Sequence, residues 1–271
     1  MPELPEVETA RRGIEPHIAG RTLAGAVVRD PRLRWPVPPD LCEQLRGRRV
    51  IGLSRRGKYI LADLGDVHLL LHLGMSGSLS ITPADTPPRK HDHVDILLGD
   101  GHLLRLHDPR RFGAVLLVPG WPQHHPLLRG LGPEPLDPEW SGEALWQATR
   151  GRSAAIKTVI MDAHTVVGVG NIYASEALFR ARIRPGTAAR RLSRQACTRL
   201  VAAIRETLEE ALAAGGSSLR DYVHANGDLG CFQLEHRVYG RDGQPCFACG
   251  TEVRMARMGQ RSTFWCPNCQ R

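Results

Sequence analysis

Two residue sets, one toward each end of the chain, have the types and spacing to do chemistry. Toward the C-terminal end, Cys246-x-x-Cys249 is followed after sixteen residues by Cys266-x-x-Cys269. Each pair places two thiolates on one tight turn. A hairpin between the turns would fold the pairs into one tetrahedron, the spacing of a four-cysteine zinc ribbon. One structural zinc ion is the expected cofactor. Residues 236–271 also hold Arg237, Arg241, Arg254, Arg257, Arg261 and Arg271 against only Asp242 and Glu252. A metal-stapled hairpin with that charge suits phosphate; a structural zinc with no partner is the alternative.

At the other end the chain reads Met1-Pro2-Glu3-Leu4-Pro5-Glu6-Val7-Glu8. Removal of Met1 would leave Pro2 as a secondary amine, of the α-amino class whose pKa lies near 7.7–8.0. Part of it is then unprotonated at neutral pH. Attack on an aldehyde-level carbon would give an iminium, an electron sink that eases elimination at the next carbon. Glu3 and Glu6 bracket that amine and could protonate a leaving or ring oxygen. On these residues alone, a plain N-terminal proline and helix-dipole compensation by the glutamates stand as the blander alternatives.

Two further motifs suit a nucleic acid. Asp108-Pro109-Arg110-Arg111-Phe112-Gly113 flanks a phenylalanine with arginines, which fits insertion into a base stack but equally a core ring beside surface charge. Met75, in Gly74-Met75-Ser76-Gly77, reads on its own as core. Gly168-Val169-Gly170-Asn171-Ile172-Tyr173 offers close backbone approach and a helix N-terminus for an anion, or simply a capped helix start. Only Lys58, Lys90 and Lys157 are lysines, against 33 arginines. Each is therefore a candidate for work arginine cannot do, since arginine cannot give up its proton.

The elements that must position these residues fall in three zones. Val7, Ala10 and Ile14 at helical spacing, with Pro5 and Glu6 in the first turn, predict a short helix beginning at the terminus itself. Strands are predicted at Thr22–Val28, Val50–Ser54, Tyr59–Leu64, His68–Leu73, Val94–Leu98, His102–His107 and Ala114–Val118, which points to a β-sandwich or barrel. Six prolines between Pro119 and Pro138 mark a stiff linker. Beyond it, helices are predicted at Ser153–Met161, at Ile172–Ala181 capped by Asn171, and after Ser193, with Cys197, Leu200, Val201, Ile204, Leu208 and Leu212 on one face and Gly215-Gly216 closing it.

The 271 residues carry a formal net charge of +8, which favours a polyanionic partner. Cys42, Cys197 and Cys231 are scattered and odd in number, which argues against a disulfide framework. Cys197 is expected as a buried thiol. With no signal peptide and no apolar run of membrane-spanning length, a cytoplasmic, soluble protein without membrane attachment is expected. A monomer is expected too.

Taken together, the ordered blocks resemble the bacterial formamidopyrimidine-DNA glycosylases. They are the N-terminal block above, Arg56-Gly57-Lys58-Tyr59, His72-Leu73-Gly74-Met75-Ser76-Gly77 and Lys90-His91-Asp92-His93. Then come Asp108 to Gly113, Val167 to Ala174, Val238-Tyr239-Gly240-Arg241, and the ribbon ending Cys266-Pro267-Asn268-Cys269-Gln270. The resemblance implies an α+β multidomain fold: an N-terminal β-sandwich with a leading helix over 1–120 and a linker over 121–139. A helical helix-two-turn-helix domain over 140–235 and a zinc-ribbon finger over 236–271 complete it. It implies a bifunctional repair enzyme that binds damaged double-stranded DNA, removes 8-oxoguanine and formamidopyrimidines, and cuts the abasic site by β,δ-elimination.

By that similarity Pro2 attacks C1′, Glu3 is the general acid on the sugar, and Lys58 acts near the phosphates. Arg261, at the hairpin tip, grips a phosphate and assists δ-elimination. Met75, Arg110 and Phe112 fill the gap left by the flipped base, and His91, Arg152, Asn171 and Tyr239 contact DNA. Lys157 lies near the lesion pocket. The chain departs from the family pattern at Ser217 and Ser218, where threonines are common. It departs again at Cys231, where an aromatic residue is usual, and at Arg152, where lysine is often found. Competing readings are an oxidised-pyrimidine enzyme of the same superfamily, a non-catalytic DNA-binding paralogue, and a zinc-ribbon transcription or RNA-binding module. Leu4, the Arg110–Phe112 block, and the presence of both Pro2 and Glu3 weigh against them.

Overall fold

The computed structural model describes residues 2–215 and 235–271. Met1, the Gly216–Asp221 stretch with Ser217 and Ser218, and Cys231 lie outside the described residues. The chain divides into two compact units, with the boundary between Arg129 and Gly130, inside the proline-bearing segment.

The first unit opens with α1 (Leu4–Ile18) and β1 (Leu23–Val28), then α2 (Leu41–Leu45) and β2 (Gly52–Arg56). Strands β3 (Tyr59–Asp63), β4 (Val67–His72), β5 (Ser78–Pro83), β6 (Asp92–Leu98), β7 (His102–His107) and β8 (Ala114–Pro119) follow. They form two four-stranded antiparallel sheets, ordered β1-β6-β7-β5 and β2-β3-β4-β8. Apolar side chains of both sheets and of α1 enter one core. Val7, Ala10, Ile14 and Ile18 supply the helix's share, at the predicted spacing. Each valine or isoleucine among them, fully buried, contributes about 1.5–3 kcal/mol, and Ala10 less.

The helix is longer than predicted, because Pro16 falls close enough to its end that the chain still turns through Ile18. Strand β5 was not expected from the sequence. It lies at a sheet edge, ends in Pro83 and fully buries only Leu79, so it lacks the alternation of a half-buried strand.

The second unit contains α3 (Gly142–Thr149), α4 (Ile156–Ile160), α5 (Asn171–Arg180) and α6 (Arg194–Ala213), then the hairpin β9 (Arg254–Met258) and β10 (Arg261–Trp265). Helix α6 begins as predicted: the Ser193 hydroxyl accepts the Ala196 N–H at 3.1 Å. It buries Cys197, Leu200, Val201, Ile204 and Leu208, and Gly215 follows with φ +78°. Two expectations are corrected. The helix predicted from Ser153 starts only at Ile156, because Ala154 and Ala155 are extended and pair with Ala188 and Ala189. Gly170, not Asn171, is the N-cap of α5; Asn171 is its first helical residue.

No helix among the described residues is long and apolar enough to cross a membrane.

Candidate functional site

The chain turns into α1 through a reciprocal cap. The Glu6 carboxylate accepts the Glu3 N–H at 2.8 Å, and Pro2, Glu3 and Glu6 are all buried. A buried glutamate at this position satisfies a donor that the helix cannot. Glu6 thus fixes the backbone beside Pro2, and the Glu3 side chain accepts in return from the Glu6 backbone N–H. One turn on, the Glu8 carboxylate accepts from Arg55 Nε at 3.1 Å, both side chains only 12% exposed. Arg55 in turn donates to the Gly57 carbonyl at 2.9 Å. The helix carrying Pro2 and Glu3 is thereby tied to the β2–β3 turn carrying Lys58.

His72, opposite Tyr59 across the β3–β4 ladder, was not singled out from the sequence as a site residue. Its ring lies 4.8 Å from that of Tyr59. Burial, reinforced by the charges of Lys58 and Arg34, pulls the imidazole down to about 4, against a hydrogen bond to the Phe112 backbone. Kept neutral, its Nδ1 accepts the Gly74 N–H at 3.1 Å. The signal available in sequence was only its place beside Leu73-Gly74-Met75.

Met75 and Phe112, both expected as insertion residues, stand on neighbouring loops, exposed by 37% and 38%. The Arg110 guanidinium lies 4.8 Å from the centroid of the Phe112 ring, a cation–π contact. His91 is also brought to this unit's surface, in a left-handed backbone conformation, φ +76°. Beside it Asp92 is buried: its carboxylate accepts the Arg89 N–H at 2.7 Å and contacts His107 Nδ1 at 2.8 Å.

In the second unit, the β9–β10 hairpin turns through Gly259 and Gln260, both at positive φ, and presents Arg261 exposed at its tip. Lys157, by contrast, is 2% exposed. Its ammonium donates to Thr263 Oγ1 at 2.8 Å and to the Ser262 carbonyl at 3.1 Å. Asn171 Nδ2 donates to that same carbonyl at 3.0 Å. Lys157 and Asn171 are thus bound to the residue next to Arg261. Tyr239 packs edge-on against Phe264 with centroids 5.1 Å apart. Its N–H, with those of Arg237 and Val238, enters the buried Glu176 carboxylate at 2.8–3.0 Å. Glu176, a lone acid on an otherwise apolar helix stretch, was not read from sequence. Arg152 is half-exposed and hydrogen-bonds Thr165 Oγ1 at 3.1 Å and Asp162 at 3.4 Å.

The four cysteine ligand atoms lie within 4.8 Å of one another. Hydrogen bonds from Thr251 and Asn268 pull the Cys249 thiol down to about 5. Burial and the neighbouring sulfurs push Cys269 up to about 12. Four thiols crowded this closely suit a cation, and an all-cysteine set with no open position suits structural zinc. The knuckles are firmly held: Gln270 accepts the Cys266 N–H at 2.9 Å and donates to the Ile183 carbonyl at 2.9 Å, pinning the ribbon to the loop after α5.

Residues 1–115 match the family model of the formamidopyrimidine-DNA glycosylase N-terminal domain, and residues 131–223 match that of the H2TH domain. Residues 243–271 match the zinc finger found in FPG and IleRS. Over the full length of both chains the sequence is 59% identical to the formamidopyrimidine-DNA glycosylase of Thiobacillus denitrificans and 58% identical to that of Thioalkalivibrio sulfidiphilus. Among solved structures it is similar to the MutM (Fpg) protein of Thermus thermophilus, with a TM-score of 0.88 and 41% identity, covering 99% of this chain and 98% of that one. It is also similar to the Lactococcus lactis Fpg in complex with DNA containing an abasic site, with a TM-score of 0.90, 34% identity and 99% of each chain covered.

Proposed function

Because the chain belongs to the formamidopyrimidine-DNA glycosylase family, a family of bifunctional DNA-repair glycosylases and abasic-site lyases, we propose that it excises oxidised purines from duplex DNA and then cuts the strand through a covalent intermediate on Pro2. The substrates are 8-oxoguanine and ring-opened formamidopyrimidines. Pro2, freed as a secondary amine, attacks C1′ as the glycosidic bond breaks. Glu3 gives its proton to the sugar ring oxygen, and the opened sugar forms an iminium with the proline nitrogen. Loss of a C2′ proton expels the 3′ phosphate, and a second elimination expels the 5′ phosphate. Lys58 acts beside these phosphates; Arg261 grips a flanking phosphate and assists the second step. Met75, Arg110 and Phe112 occupy the space of the flipped nucleotide, offsetting an unstacking cost of a few kcal/mol.

The observation that carries this reading is the anchoring of the N-terminus. The Glu6 cap fixes the Pro2–Glu3 backbone, and the Glu8–Arg55–Gly57 chain ties that helix to the turn bearing Lys58. Amine, acid and lysine are thereby held on one rigid support, which positioning catalysis needs. Zinc stays outside the chemistry: Cys246, Cys249, Cys266 and Cys269 would hold it, and it would order the hairpin that presents Arg261.

End-labelled duplex with one 8-oxoguanine opposite cytosine tests the reading. The expected product is a one-nucleotide gap with phosphate at both ends. Cleavage only at oxidised pyrimidines would replace the substrate assignment.

A further inference from the structure

Asp108 is fully buried and touches three loops at once, those of His91, Ser76 and Phe112. Its N–H donates to the His91 carbonyl at 3.0 Å. Its carbonyl accepts the Arg111 N–H at 3.1 Å and contacts His93 Nε2 at 3.0 Å. One carboxylate oxygen accepts the Gly113 N–H at 2.7 Å, and the other accepts the Ser76 hydroxyl at 3.3 Å.

These bonds bracket the residues that must enter the base stack. Arg111, just before Phe112, has φ +56°, a conformation that a bulky side chain adopts only under restraint. Asp108 holds it from both sides, through its own carbonyl and through Gly113. Ser76 is the neighbour of Met75, so the same carboxylate reaches the second insertion loop. The two loops also meet backbone to backbone. A Cβ on Gly74 would fall 2.4 Å from the Phe112 carbonyl carbon, and one on Gly113 would fall 2.7 Å from the His72 oxygen and 3.0 Å from the Asp108 carboxylate.

We propose that Asp108 is a positioning residue that locks the Met75 and Phe112 loops into one wedge before DNA arrives, an inference that rests on the repair reading above. A wedge that is loose in the free protein would have to be ordered during insertion, and that cost would be taken from the energy available to unstack the lesion. A wedge already held rigid avoids it. The residue acts on extrusion of the base, and not on the covalent chemistry at C1′.

The test uses the full chain with zinc bound and three variants, Asp108→Ala, Asp108→Asn and Ser76→Ala. Three rates are read: the fluorescence rise of 2-aminopurine placed next to the lesion, single-turnover release of 8-oxoguanine, and cleavage of a preformed abasic site. For Asp108→Ala, loop misplacement should slow the first two by about 10- to 100-fold and leave abasic-site cleavage nearly unchanged. Asp108→Asn, which keeps an acceptor for Gly113, should recover most of the loss. Ser76→Ala should show a smaller loss with the same pattern, and it carries the test if Asp108→Ala does not fold. Equal loss in all three rates, or unchanged insertion in a folded Asp108→Ala or Ser76→Ala, would overturn the proposal while the repair reading stands. A wild-type protein that neither raises the fluorescence nor releases 8-oxoguanine would overturn both.

Discussion

The ammonium of Lys157 is hydrogen-bonded to the Ser262 carbonyl at 3.1 Å, one residue from Arg261 and more than a hundred positions along the chain. A lysine buried this deeply is costly unless its donors are used. Here Thr263 Oγ1 and the Ser262 oxygen use them, and Asn171 reinforces the same carbonyl. Lys157 in this fold therefore braces the tip of the ribbon hairpin, beside Arg261.

Replacing Lys157 with methionine should lower stability in urea unfolding by about 1.5–3 kcal/mol, the worth of hydrogen bonds to a charged group. It should also raise the proportion of β-elimination over β,δ-elimination product, because Arg261 loses its support. Arginine should not restore either, since its planar fork does not fit a site shaped for a compact ammonium. Unchanged product ratio and stability would remove Lys157 from the hairpin's support.

His72 predicts a pH dependence of stability. Its folded value of about 4 lies below the unfolded value near 6.5. Between the two, the unfolded chain binds more protons, so stability falls as pH falls from 6.5 toward 4. Urea unfolding of wild type and His72→Asn across that range should show a shallower slope for the variant. Parallel slopes would mean that His72 protonates freely in the folded protein.

Zinc removal should separate the two units' behaviour. Chelation should abolish DNA binding, because the hairpin bearing Arg261 loses its staple. The sandwich, whose core of apolar side chains owes nothing to the metal, should remain folded by circular dichroism. Full DNA binding in a zinc-free preparation would contradict the assignment of the ribbon as part of the DNA grip.

What could be read from the sequence was what local spacing encodes. The cysteine knuckles, the buried face of α1 and the Ser193 cap each depend on residues within a few positions, and each is found as read. Strand β5 was missed because an edge strand ending in proline carries no clear alternation. Asn171 was misread as a cap because its side chain answers to Ser262, ninety-one positions away, while Gly170 takes the cap position. Glu176 was missed because a buried acid is defined by the N–H groups that the fold brings to it, and these come from sixty-one to sixty-three positions away. Asp108 was missed because the Ser76 hydroxyl that joins it to a second loop lies thirty-two positions away. The residue types of the candidate site were visible in the sequence; the contacts that support them were visible only in three dimensions.

In the proposed reaction a covalent bond joins Pro2 to the sugar of an oxidised purine nucleotide. Borohydride trapping tests it most directly. The protein is incubated with duplex carrying 8-oxoguanine opposite cytosine, reduced, digested and analysed by peptide mass spectrometry. The predicted result is one adduct, on the nitrogen of a Pro2 whose preceding methionine has been removed. An adduct on Lys58 or another side chain, or no adduct from protein that has lost Met1 and binds the duplex, would contradict it.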